Sequence, residues 1–283
     1  MVPAPSSATA PLPSRWPWPS ALSASVGLHA VAAAAAALLP GAPGWAAAAV
    51  VVNHLVLTGA GLWPRSALLG PNVSRLPPAA AARREIAITL DDGPDAEVTP
   101  AVLDLLAAAG VRATFFCIAE RARAQPALVR RIVAAGHSVQ NHSRHHRHDF
   151  SLLGPRGFER EIGAAQALLA DISGVQPHCF RAPAGLRNPL LDPVLHRLGL
   201  HLVSWTRRGY DTRDADAQRV LGRLARGLAG GDILLLHDGH ARRATGGRPV
   251  VLEALPPLLA RCRAAGLRPV TLAEALPHRH AAS

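Results

Sequence analysis

A chain of 283 residues has room for one large domain and an appendage, and 49% apolar residues suit a buried core. The formal net charge of +11 rests on 30 arginines and no lysine, spread along the chain with only 4% aromatic residues between them. That pattern argues against a nucleic-acid platform and leaves a generally basic, membrane-proximal surface. Cys117, Cys179 and Cys262 are far apart, show no CxxC spacing, and read as buried reduced thiols.

From Trp16 to Pro64 there is no Asp, Glu, Lys or Arg. The runs 21–40 and 45–63 each have about the length of a bilayer-spanning helix. Gly41-Ala42-Pro43 breaks them, and Trp16, Trp18, Trp45 and Trp63 stand at interfacial flanks. The first reading is a transmembrane helical hairpin, a multi-pass anchor in a bacterial inner membrane. A single span behind a signal segment and a soluble hairpin compete with it, because alanine is weakly hydrophobic and His29, Asn53 and His54 are polar. By the positive-inside rule, Arg65, Arg75, Arg83 and Arg84 would put the next domain in the cytoplasm. A folded domain begins soon after them, so the side is left open. Residues 64–82, rich in Pro and Gly, read as a linker. The expected organisation is anchor and linker over 1–82, a main domain over 83–277, and a frayed tail over 278–283.

From residue 85 onward strands and helices alternate. Expected strands are 86–90, 112–118, 137–141, 178–182, 201–206, 232–237 and 268–271. The amphipathic runs between them are 99–109, 126–135, 157–172, 189–198, 215–229 and 250–265. Gly110, Gly136, Gly199 and Gly266 sit where helix C-caps belong. Such alternation implies parallel strands with right-handed crossovers, either a barrel or a doubly wound sheet. No glycine-rich dinucleotide fingerprint follows the first strand. In a barrel, chemistry gathers at the C-terminal strand ends.

Those ends carry ionisable residues: Asp91-Asp92, the run from Asn141 to His148, Arg181, then Asp211 beyond Trp205, and His237-Asp238. His142 and His146, four apart on a helical turn, would share a face and form with one carboxylate a set suited to zinc. The same run also reads as a solvated histidine-rich loop, with His145 and His148 as bystanders. Asp91 and Asp92 should point to opposite sides of an extended chain, so one can hold a metal while the other takes a proton. Asp95 reads as a turn or helix cap. Ile233, Leu235 and His237 share one strand face.

With these residues placed, the chain resembles the polysaccharide deacetylase family, the NodB-homology domain of carbohydrate esterase family 4. ThrLeuAspAspGlyPro at 89–94, HisSerArgHisHis at 142–146, ArgAlaProAlaGly at 181–185 and IleLeuLeuLeuHis at 233–237 match its motifs in order, over roughly residues 84–277. The resemblance implies a distorted, incomplete (β/α)7 barrel and a divalent metal, usually zinc, with cobalt or nickel as alternatives. It assigns Asp92, His142 and His146 to the metal, Asp91 as general base, Arg181 as its orienting partner, and His237 as general acid. Leu235 would line the acetyl pocket beside Trp205, and the Ala184 N–H would hold the oxyanion. The fourth motif departs: Arg208 stands for an acid and Thr212 for an aromatic wall, while Asp211 is kept and can pair with His237. The implied activity is removal of N-acetyl groups from an amino-sugar polymer or oligosaccharide. A lipid-linked amino sugar deacylated or deformylated at the membrane is the alternative substrate. A catalytically silent carbohydrate-binding protein is the reading from another class.

Overall fold

The computed structural model describes residues 16–277, so the tail expected at 278–283 lies outside it. The apolar runs form helices α1 (Ser20–Leu38) and α2 (Ala42–Leu62). Gly41 makes the break with φ 81°, and Pro43 sits in the first turn of α2 where its missing N–H costs nothing. Both helices are long and apolar enough to cross a membrane. Their polar residues turn toward each other. Asn53 Nδ2 donates to Ser25 Oγ at 2.8 Å, and the Nε2 atoms of His29 and His54 lie 3.2 Å apart. Outward, Val31, Trp45 and Leu55 are exposed. This is the division expected where polar groups join helices in an apolar medium.

The hairpin's open end is clamped to the domain that follows. Trp16 Nε1–H donates to Asp192 Oδ2 at 2.7 Å, and Leu22, Ala60 and Leu69 form a small apolar cluster. The Arg187 N–H donates to Gly61 O at 3.1 Å, and a Cβ on Gly61 would strike the Arg187 carbonyl. Residues 64–82 are therefore no free linker. Leu69, Leu76 and Ala80 are buried, and 78–82 coil into a short helix, α3 (Pro78–Ala82). The arginines counted as juxtamembrane charge are also engaged. Arg75 pairs with Asp232 at 2.7 Å, Arg83 with Glu85 at 2.8 Å, and Arg84 donates to Ala265 and Gly266 carbonyls.

Eight parallel strands follow: β1 (Glu85–Asp91), β2 (Thr114–Cys117), β3 (Ser138–Asn141), β4 (Cys179–Phe180), β5 (His201–Leu202), β6 (Arg207–Arg208), β7 (Ile233–His237) and β8 (Arg268–Pro269). Their order is β5-β4-β3-β2-β1-β7-β6, with β8 beside the start of β1. The expected strand 201–206 is split. Its first part pairs with β4, and after Ser204-Trp205 the chain crosses to pair with β7. The two sheet edges are thus neighbours in sequence, which curls the sheet into a distorted, incomplete barrel. Val73 fills the seam: its N–H donates to Leu202 O and its carbonyl accepts from Ser204 N–H, both at 2.9 Å, while Leu76 N–H reaches Gly231 O at 2.8 Å.

Period-two alternation sorts the side chains. Ala87, Phe116, Ile233 and Leu235 point into the barrel with Leu76 and Trp205, whereas Ile88, Leu90, Phe115, Leu234 and Leu236 meet the helices. Cys117, Cys179 and Cys262 are buried. The expected helix 157–172 contains a π turn, Glu159–Gly163. Within that turn the Ile162 carbonyl accepts from Asn141 Nδ2 at 3.0 Å, fixing the residue that ends β3.

Candidate active site

At the C-terminal strand ends lies a cavity of about 320 Å³ lined by Asp91, Asp92, His142, His146, Leu235 and His237, among others. Six of the seven described non-glycine residues with positive φ cluster at these ends: Asp92, Ser143, His146, Ala184, Tyr210 and His240. Each carries backbone strain that packing must offset, and such strain gathers where side chains must be aimed.

The two aspartates part company by a turn, not by strand alternation. Asp91 ends β1, but Asp92 has φ 72°, so both carboxylates enter the same cavity. Asp91 Oδ1 accepts from Arg181 NH1 at 2.6 Å. Arg181 is 1% exposed, donates further to Thr89 Oγ1 and the Val203 and Ser204 carbonyls, and lies over the Phe116 ring. Burial pulls its pKa down against the Asp91 charge, so the pair holds its charges only together.

His142 and His146 do not lie on a helical turn. Ser143 (φ 65°) and His146 (φ 53°) are both left-handed, and the His146 N–H donates to Ser143 Oγ at 3.0 Å. Asn141 Oδ1 holds the Ser143 N–H at 2.9 Å. This side-chain-held loop competes with helix and brings the rings to 4.9 Å.

Asp92 Oδ1 lies 3.2 Å from Nε2 of both His142 and His146. It is buried and has no hydrogen-bond partner among the described residues. Ligand atoms about 2.0–2.1 Å from one tetrahedral centre lie about 3.3–3.4 Å apart. The His142 Nδ1–H donates to the Arg181 carbonyl at 2.8 Å, which aims Nε2 at the cluster. These residues fit a divalent cation. Electrostatics agree. Burial opposes charge on His142, yet Asp91 and Asp92 outweigh it and raise its pKa, while burial and His142 drop His146 to about 4, its neutral ligand form. Burial also works against the Asp92 carboxylate, but its contacts with His142 and His240 hold its pKa far below the usual range. A proton on His142 and a metal ion are alternative answers to the same negative charge.

His237 stands beside Asp91 in the β1–β7 register. Its Nδ1–H donates to Asp211 Oδ1 at 2.8 Å and its backbone N–H to Asp211 Oδ2 at 2.7 Å. Burial disfavours its charged form, and Asp211 overrides that to raise its pKa. Leu235, Trp205 and Ala184 line the cavity. His145 is tied to Glu161 at 2.8 Å, away from the cluster, whereas His148 does line the cavity. Asp95 Oδ1 accepts from the N–H groups of Glu97 and Val98 at 2.9 Å, as a cap does.

Three residues were given no role by the sequence reading. His240 Nδ1 lies 3.2 Å from Asp92 Oδ2, and Arg121 NH1 donates to Asp92 O at 2.8 Å. Only the proximity of His240 to His237 hinted at the first, and nothing in sequence hinted at the second. Asp238 is the third: fully buried, bonded to Thr99 Oγ1 at 2.6 Å, and pushed up to about 7 by burial.

A family profile described as polysaccharide deacetylase matches residues 79–203. A peptidoglycan-N-acetylglucosamine deacetylase of Bacillus cereus is 31% identical over 207 residues, 69% of this chain and 89% of the relative. The chain belongs to the polysaccharide deacetylase family. A chitooligosaccharide deacetylase of Bradyrhizobium is 35% identical over 158 residues, 56% of this chain and 72% of the relative. Among solved structures, a family 4 carbohydrate esterase from Streptomyces lividans in complex with acetate is 31% identical, with TM-score 0.61, covering 70% of this chain and 98% of that one. Polysaccharide deacetylases of this kind are metalloenzymes, in keeping with the Asp-His-His cluster.

Proposed function

We propose that this polysaccharide deacetylase hydrolyses the N-acetyl group of an amino sugar with a divalent cation held by Asp92, His142 and His146. The observation that carries this reading is the convergence of those three ligands beside an arginine-held carboxylate and an aspartate-held histidine. The donor set suits zinc, with cobalt or nickel as substitutes. When bound, the cation supplies Lewis acidity, polarising the amide carbonyl and making water more acidic.

Asp91, held and oriented by Arg181, takes the proton of the attacking water. The Ala184 N–H stabilises charge on the carbonyl oxygen. Leu235 and Trp205 enclose the acetyl methyl. His237 gives its proton to the departing amine, a poor leaving group otherwise. Chelation should abolish acetate release from N-acetylated chitooligosaccharide, and zinc should restore it. Turnover undiminished in the chelated, metal-stripped protein would sink the reading. The helical hairpin fits attachment to a membrane.

The acid role predicts a pH signature. His237 must be protonated, so activity falls as pH rises through its raised pKa. Asp211→Asn removes the charge that raises it, moving the alkaline limb of kcat/KM to lower pH. An unmoved limb would exclude Asp211 from this role.

A further inference from the structure

One side of the cavity carries positive charge that no carboxylate among the described residues answers. Arg208 and Arg213 both line it, and neither has a carboxylate partner among the described residues. The acids there are engaged, Asp91 by Arg181 and Asp92 by His142, His146 and His240. Arg208 sits next to Leu235 in the β6–β7 register, beside the acetyl-pocket wall. Its guanidinium is held between the Trp205 ring at 5.3 Å and the Tyr210 ring at 5.0 Å, and its buried Nε has no hydrogen-bond partner. The guanidinium of Arg181 lies 5.9 Å from that same indole, so two like charges share one ring. Arg181 has Asp91 as its counter-charge, whereas Arg208 faces that repulsion with no carboxylate of its own, a cost that an anion in the cavity would relieve.

The hairpin meets this same wall. Pro64, two residues beyond α2, packs against Gly185, where a Cβ would strike both Pro64 and Trp205. The Ser204 hydroxyl donates to the Pro64 carbonyl, and Arg65 reaches Thr206 O at 3.3 Å. A groove of about 300 Å³ runs between His54, Leu57 and Leu62 of α2 and Leu152, Arg187 and Pro189 of the domain. Loops 142–152 and 182–189 line both the groove and the cavity, and Leu152 is 82% exposed.

We propose that the substrate is an N-acylated amino sugar joined through phosphate to a membrane lipid, with Arg208 and Arg213 on the phosphate and the start of the hydrocarbon tail in the groove beside α2. The phosphate answers the unpaired guanidinium, for which arginine's planar fork is suited. The tail continues the apolar surface of the hairpin. This rests on the deacetylase reading and narrows its substrate.

The test uses the full chain in phospholipid vesicles and three N-acetylglucosamine substrates: linked to a polyprenyl lipid through diphosphate, as the soluble 1-phosphate, and as neutral chitotriose. The lipid-linked sugar should give the highest kcat/KM and the neutral sugar the lowest. Arg208→Gln should cut the preference for phosphate-bearing over neutral sugar by about tenfold to a hundredfold, the range of a charge-assisted contact. Arg208→Lys should recover part of it. A preference for the neutral sugar, or a ratio unmoved by Arg208→Gln, overturns the phosphate site. A soluble phosphate used as well as the lipid overturns the lipid as its source. Equilibrium binding of N-acetylglucosamine 1-phosphate to the metal-free chain separates the two readings. If no sugar is turned over but this binding weakens in Arg208→Gln and Arg213→Ala, deacetylation fails and the phosphate site stands. If it does not weaken, the phosphate site falls whatever the activity.

Discussion

Asp91→Asn should lower kcat by about a thousandfold, within the range of a lost general base, while the protein keeps its metal. The substitution preserves shape, and the amide oxygen can still accept from Arg181, but it cannot take a proton from water. It also leaves a buried guanidinium without its counter-charge. Removing one partner of such a pair costs about 3–5 kcal/mol, softened here by the Thr89 hydroxyl and the Val203 and Ser204 carbonyls around Arg181. A lower melting temperature with an intact circular-dichroism spectrum is therefore part of the expected result. Metal content by mass spectrometry separates the chemical loss from a collapsed site. Near-normal turnover in the folded variant would remove Asp91 from the base role.

His142→Ala should strip the metal. It deletes a ligand and the hydrogen bond to the Arg181 carbonyl that aims it. The affinity loss should exceed the about 10–100-fold typical of residues that only support a ligand. His240→Ala, which removes a contact to Asp92 Oδ2, should fall within that smaller range. Thermal shift gives an independent readout. Cation at a hundred times its Kd adds about 2.7 kcal/mol to the stability of a protein that binds it only when folded. Wild type should show that gain and His142→Ala should not. Equal metal stoichiometry in both would refute the ligand assignment.

The strands that carry this chemistry were legible because each is a short apolar run ending in ionisable residues. Asp91, Arg181 and His237 could be placed at one mouth on that ground alone. Local geometry was less legible. The spacing of His142 and His146 suggested a helical turn, and only the bonds of Ser143 and Asn141 show why the loop goes left-handed instead. The alternation drawn for Asp91 and Asp92 stopped one residue early, because positive φ at Asp92 is a property of the turn. Residues 64–82 misled most. Their Pro and Gly content suits a linker, and the partners that order them, Leu202, Ser204 and Gly231, lie more than a hundred residues away.

That last pairing also sets an order of events. Residues 73–76 leave the ribosome before any of the sheet exists, yet the backbone groups they join are made only at the end of β5 and just before β7. Until then the staves at the two ends of the sheet have raw, unpaired edges, the condition that invites a strand from another molecule. Closing the gap is a high-contact-order step, slow by its topology. This early segment closes the seam only once strands made more than a hundred residues later are in place.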